Sequence, residues 1–452
     1  MIAKKLSDEQ MRHYILNGYI TVKTDHPPEF HEDIYNQTEM IFEKEGNPGN
    51  NLVPRIPEIQ SILNDPAVHG ALTSILGQDY YAHPHRHCHF NPPDSSGQNM
   101  HKDSWARRHH HTRWMMAFYY PQDTPEERGP TAIFPGSHYY NTEEGSKTGE
   151  EIALSGEAGT VVIVHYDVWH RATPNRTDQN RYMMKFLFTR MVEPQAASWA
   201  KKRTEWQPIG DNKDQTMWPH LWDWHAGEQN GNGTKNGASI PELIDVLGAD
   251  SESVCFDAAY ALGRIGEPAV PALIEALTDE SEQLRRNASY ALSAVGAPAV
   301  PALIAASEHQ QPAVRTIAVQ TLGDIGLPAK DAIPALIQAQ QDESADVRAG
   351  AVESLGTVDQ STSEAVPALV DALEDEDIWV RRNTSLALAR LGTHAQVAIP
   401  ALEAGLKADN RYVRANCAHA LYRMDTPTAK AILLDFLLTS RWCPSTTRES
   451  TF

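Results

Sequence analysis

Residues 159–190 read GTVVIVHYDVWHRATPNRTDQNRYMMKFLFTR, and their pattern decides what the first half of the chain is. Two apolar runs rich in Val, Ile, Met and Phe flank a polar stretch punctuated by Pro and Asn, which is how two strands joined by a turn read. TAIFPGS at 131–137 repeats the format, whereas helical patterns lie mainly before residue 80. The expectation is an all-β double-stranded β-helix, a cupin-like jelly roll, with flanking helices.

Inside that stretch stands His170, and far upstream NMHKDSW (99–105) carries His101 and Asp103. Two imidazoles and one carboxylate leave three adjacent positions of an octahedral iron(II) open, the ligand set non-haem oxygenases use for a co-substrate and dioxygen. Arg181 follows His170 by eleven residues, at the start of the next strand. There a guanidinium could grip the distal carboxylate of a keto acid through two parallel hydrogen bonds.

A His-x-Asp pair alone is weak. With 20 His and 28 Asp in 452 residues, chance supplies about one such pair. Three occur: His31/Asp33, His101/Asp103 and His165/Asp167. The first lies in FHEDIYNQTEMIFEKEG, which reads as a helix, where side chains two apart diverge. His165/Asp167 ends a strand, where i and i+2 share a face, and stays a rival with His170 as neighbour. Its weakness is that one six-residue stretch would have to supply all three ligands.

The region from about Leu6 to Arg190 resembles the phytanoyl-CoA dioxygenase (PhyH) family of iron(II)/2-oxoglutarate oxygenases. LSDEQMRHYILNGYITVK (6–23) is similar to the family's opening helix and first strand, NMHKDSW to its proximal metal motif, GPTAIFPGSH (129–138) to the loop before its distal half, and HRATPNRTDQNR (170–181) to its distal His with the arginine. The resemblance implies His101, Asp103 and His170 as iron ligands, Arg181 as the 2-oxoglutarate anchor, and Fe(II), 2-oxoglutarate and O2 as the participants. It favours hydroxylation over halogenation, since halogenating relatives have a small residue where Asp103 stands. SWARRHHHTR (104–113) departs from the family's pattern, being more basic and His-rich.

The two halves of the chain differ. Residues 1–225 hold 17 of the 20 His and 8 of the 10 Trp, so chemistry is expected there. A net charge of −20 argues against nucleic acid as a partner, because that affinity needs clustered Lys and Arg. The local cluster Arg107, Arg108, His109, His110, His111 and Arg113 is the exception and could hold an anionic small-molecule substrate. Cys88, Cys255, Cys417 and Cys443 show no paired spacing, which fits a reducing compartment, the cytoplasm. No stretch reads as a signal peptide or a membrane span.

AGEQNGNGTKNGAS (226–239) reads as a flexible linker. Beyond it, Pro-Glu-Leu-Ile begins at Pro241 and Pro-Ala-Leu recurs at Pro271, Pro301, Pro334, Pro367 and Pro400, with Arg285, Arg315, Arg348, Arg381 and Arg414 in step. A period of 30 to 33 residues carrying Ala/Leu helices defines an α-solenoid of helix pairs. These units resemble HEAT-like repeats of the short, bilin-lyase type. The expected plan is a dioxygenase domain over 1–225, the linker over 226–239, an all-α HEAT-like solenoid over 240–440 and a tail over 441–452. No His-Glu pair follows residue 225, so the solenoid cannot build the di-iron site of HEAT-type deoxyhypusine hydroxylases.

Other features take structural readings. His83, His85, His87 and His89 would share one strand face, as half-buried hydrogen-bonding positions rather than a second metal site. The Trp residues after 198 are expected to pack between sandwich and solenoid, and the repeated arginines to bond loop carbonyls or Asp. Three functions remain open: an oxygenase acting on an unactivated C–H of a small metabolite, a protein hydroxylase whose solenoid recruits its substrate, and a binding protein that has lost activity.

Overall fold

In the computed structural model the described residues are 3–104, 109–147, 149–207, 216–228 and 238–439. They divide into two compact units, one of 3–207 with 221–228, the other of 216–220 with 238–439. Most of the expected linker (229–237), the tail (441–452) and Arg107 and Arg108 of the basic cluster lie outside the described residues.

The first unit opens with helix α1 (Asp8–Asn17), strand β1 (Tyr19–Lys23) and helices α2 (Pro28–Glu45), α3 (Leu52–Arg55), α4 (Ile59–Leu63) and α5 (Pro66–Leu76). Ser7 and Gln10 form a reciprocal capping box that starts α1, satisfying two otherwise orphaned backbone donors. Strands β2 (Tyr81–Asn91), β3 (Trp114–Tyr119), β4 (Thr131–Ile133), β5 (Ile152–Ala153), β6 (Thr160–His165), β7 (His170–Ala172) and β8 (Arg181–Thr189) follow.

They form two antiparallel sheets, β1-β6-β3-β8-β2 and β5-β4-β7. Met116, Phe118, Val162, Val164, Met183 and Leu187 from the larger sheet meet Ile133, Leu154 and Val168 in one buried cluster. Alternation therefore sends the opposite set outward, toward the helices: Tyr119 bonds His31 of α2 at 2.8 Å. This is the expected jelly roll with flanking helices. His31, on the helix expected from sequence, is a satisfied core histidine, bonded also to Thr24 at 3.2 Å.

The second unit alternates seven-residue and fourteen-residue helices. Short helices Val270–Ala276, Val300–Ala306, Ile333–Ala339, Val366–Ala372 and Ile399–Gly405 carry the recurrent Pro in their first turn; long helices Glu252–Ile265, Glu282–Val295, Pro312–Ile325, Ala345–Val358, Ile378–Leu391 and Arg411–Met424 stack in succession. The marker arginines act as expected: Arg315 bonds the carbonyls of His309 and Gln310 at 3.0 and 2.9 Å and forks onto Asp342 at 2.6 and 2.8 Å. No helix among the described residues is long and apolar enough to cross a membrane.

Candidate metal centre

His101 and His170 are brought together by backbone pairing. Each donates its amide N–H to the other's carbonyl at 2.9 Å, so His101 extends the smaller sheet beside β7 and the two rings lie 4.6 Å apart. Each ring's Nδ1 sits against a carbonyl, Asn99 for His101 at 2.9 Å and Val168 for His170 at 3.0 Å. A carbonyl only accepts, so Nδ1 carries the hydrogen in both rings and each Nε2 presents a lone pair in the neutral state.

Asp103 Oδ2 lies 3.4 Å from His170 Nε2, and the ligand atoms of His101, Asp103 and His170 all fall within 4.8 Å of one another. Lone pairs aimed at one spot repel unless a cation stands between them, so the donor set fits a divalent metal. Burial acts to raise the Asp103 carboxyl, but contact with the His170 ring and the charge of Lys185, bonded to it, outweigh burial and hold the group well below the usual carboxylate range. It is the anionic ligand such a site needs.

The rival set does not assemble. Among the described residues only His101, Asp103 and His170 form a metal-competent group. His165 alternates with Val162 and Val164, so it faces the helices rather than the core, with its ring 4.8 Å from that of His138. The imidazole row of β2 likewise forms no second metal group among these residues; the rings of His85, His87 and His89 follow one another at 4.9 and 4.6 Å.

Arg181 is 1 % exposed and opens β8. Its Nε donates to the Gly129 carbonyl at 2.8 Å and its Nη1 to the His89 carbonyl at 3.4 Å. Among the described residues no carboxylate pairs with it, and burial pushes its pKa down. A buried, uncompensated guanidinium is costly without an anion. Gly129 makes the placement possible: its φ is +71°, and a Cβ there would stand 2.4 Å from Asn91 Nδ2.

The basic cluster that could hold an anionic substrate is corrected at three of its four described members. His110, His111 and Arg113 are 4–6 % exposed; Arg113 forks onto Glu193 at 2.9 and 3.1 Å, and His111 stacks on Trp224 at 4.4 Å. The late tryptophans also pack inside the first unit, Trp199 and Trp206 on Trp222 at 4.9 and 6.0 Å, with Trp199 Nε1 donating to Asp8 of α1 at 2.8 Å.

Sequence reasoning missed Lys185 and Tyr166. Lys185 bonds Asp103 Oδ2 directly, and the Tyr166 hydroxyl donates to the Asp103 carbonyl at 2.9 Å. The signal for Lys185 was present: one charge in the wholly apolar run YMMKFLF, where a buried ammonium has to find a partner.

Residues 30–183 match the family described as Phytanoyl-CoA dioxygenase (PhyH). This segment is a domain of the PhyH family. Residues 225–293, 270–356 and 333–411 match HEAT repeats. Solved structures similar to the chain include the non-haem alpha-ketoglutarate-dependent carbocyclase SnoK of nogalamycin biosynthesis, 19 % identical, covering 52 % of this chain and 96 % of that one with a TM-score of 0.34. The epimerase SnoN of the same biosynthesis is 14 % identical over 45 % and 93 % of the two chains, TM-score 0.35. Apo HygX from Streptomyces hygroscopicus is 15 % identical over 41 % and 87 %, TM-score 0.34. No curated protein matches the chain. The matched segment thus contains the whole metal-competent triad and Arg181.

Proposed function

We propose that the chain is an Fe(II)- and 2-oxoglutarate-dependent dioxygenase that oxidises an unactivated C–H of a small-molecule metabolite. The observation that carries this reading is the convergence of His101, Asp103 and His170 with both Nδ1 atoms already committed to carbonyls. In this assignment the three residues hold iron(II), and Arg181 holds the distal carboxylate of 2-oxoglutarate. The iron, when bound with 2-oxoglutarate, supplies the oxidising power for O2-dependent attack on the C–H bond.

The protein's own part is positional. The carbonyls of Asn99 and Val168 lock both imidazoles in the ligating tautomer, and the Gly129 carbonyl orients the Arg181 fork. Phe118, whose ring lies 6.1 Å from that of His170, places an apolar wall beside the reacting centre and keeps water from it. We assign the dioxygenase domain to 1–225, the linker to 226–239 and the solenoid to 240–440. The solenoid serves as scaffold or as a partner-binding surface, which leaves recruitment of a protein substrate as the second reading.

The test is iron content and substrate-free conversion of 2-oxoglutarate to succinate by the full chain and its variants. His101→Ala, Asp103→Ala and His170→Ala are expected to lose both, whereas Asp167→Ala keeps them. An inactive Asp167→Ala beside a fully active, iron-replete Asp103→Ala would refute the triad. A wild-type chain that binds no iron would favour the inactive binding protein.

A further inference from the structure

This inference rests on the reading that His101, Asp103 and His170 hold the metal, and it concerns Lys185. The side chain is 4 % exposed. It stands across from Phe118 on β3 and His87 on β2, and it shares one face of β8 with Met183 and Leu187 of the core cluster. The ammonium therefore points between the sheets.

Its partner is Asp103 Oδ2, the same oxygen that lies 3.4 Å from His170 Nε2. An ammonium has three hydrogens to donate, and this bond uses one. Lys185 makes no other hydrogen bond among the described residues. Nearby His89 has a buried Nε2 without a hydrogen-bond partner, and burial, with the Lys185 charge next in weight, holds that ring well below the usual imidazole range. The neutral ring adds no charge there, so Asp103 is the one anion paired with Lys185 among the described residues.

Charge then decides what Lys185 can do. Asp103, Lys185 and Arg181 together carry a formal +1. A divalent metal taking Oδ2 raises that to +3 and places two cations on one oxygen, where they repel. A dianionic keto acid lowers the balance to +1 again, leaving one positive charge to be met.

We propose that Lys185 is a displaceable counter-cation of the metal site: it neutralises Asp103 in the metal-free protein, yields that oxygen to the metal, and then holds a carboxylate bound beside it. The carboxylate comes from the keto acid at its metal-proximal end or from the substrate. Either way, Lys185 is a positioning residue that couples metal binding to anion binding.

Mn(II) titrations of the full chain, followed by the electron paramagnetic resonance of free Mn(II), test this in wild type, Lys185→Met and Lys185→Gln, with thermal melts reporting folding. Without keto acid, the variants should bind Mn(II) about tenfold more tightly, since one competing charge-assisted bond is gone. Added 2-oxoglutarate should tighten Mn(II) binding more in wild type than in the variants. If the substrate is the source instead, the keto-acid effect is equal in all three, and hexanoate added with 2-oxoglutarate binds more tightly to wild type. Mn(II) affinity unchanged or weakened in a folded variant overturns the proposal, as does a gain accompanied by no carboxylate effect. Failure of the underlying reading looks different: wild type would bind no Mn(II), or Asp103→Ala would bind it undiminished. The Gln variant carries the test should Met at 185 fail to fold.

Discussion

Arg181 and Asp103 show how much one side chain settles at this site. The Arg181 fork has no anion of its own among the described residues, so Arg181→Lys should raise the KM for 2-oxoglutarate about tenfold to a hundredfold, the equivalent of one charge-assisted hydrogen bond. Iron content should change little, and an unchanged KM would remove Arg181 from the role. Both residues were legible in the sequence because their spacing survives folding: two residues along one extended segment, eleven around one turn. Lys185 was not read there. Its role depends on which face of β8 meets the segment of Asp103, and that is a matter of register.

At the level of elements, the loop before β4 and the repeat joints make separable predictions. Gly129→Ala forces a φ of +71° on a residue with a Cβ and drives it against Asn91 Nδ2 and the Thr173 carbonyl at 2.4 and 2.9 Å. It should cost about 1–3 kcal/mol in urea unfolding and raise the KM for 2-oxoglutarate, because the carbonyl that orients Arg181 moves. Arg348 joins two repeats, bonding the carbonyls of Asp342 and Glu343 at 3.0 and 3.3 Å and both Asp375 oxygens at 2.8 and 3.0 Å. Arg348→Ala should destabilise the solenoid by about 2–3 kcal/mol with unaltered 2-oxoglutarate turnover; a loss of turnover would make the solenoid part of the site.

For the whole molecule, the buried histidines set the acid limit. Burial lowers His31 and His165 to about 4, against an ordinary value of 6.5, and His89, His138 and His225 shift the same way. Between about pH 6.5 and 4 the unfolded chain therefore binds protons that the folded chain does not, so stability falls as pH drops through that window. Each histidine contributes about 1.4 kcal/mol per pH unit. Urea midpoints at pH 7.5, 6 and 5 should decrease in that order, and a flat profile would mean that these rings are accessible when folded. A chain ending at residue 230 should still bind iron and turn over 2-oxoglutarate, checked by metal analysis and succinate formation. Selective loss of activity on the true substrate would favour recruitment by the solenoid.

Local order determined what could be read from the amino acids alone. The period of 30 to 33 residues defines the solenoid because each repeat packs chiefly on its neighbours, and strand alternation with turn residues defines the jelly roll because both act over a few positions. The His-x-Asp motif and the distal His with its arginine belong to the same class. Tertiary structure alone decided which of the two His-x-Asp pairs in extended segments meets His170, since the bridge between His101 and His170 joins residues 69 positions apart. It also decided that His110, His111 and Arg113 are buried packing rather than a substrate loop, and that Lys185 reaches Asp103. Burial and long-range register are properties of the folded chain, set by where whole sheets pack, and no short stretch of sequence encodes them.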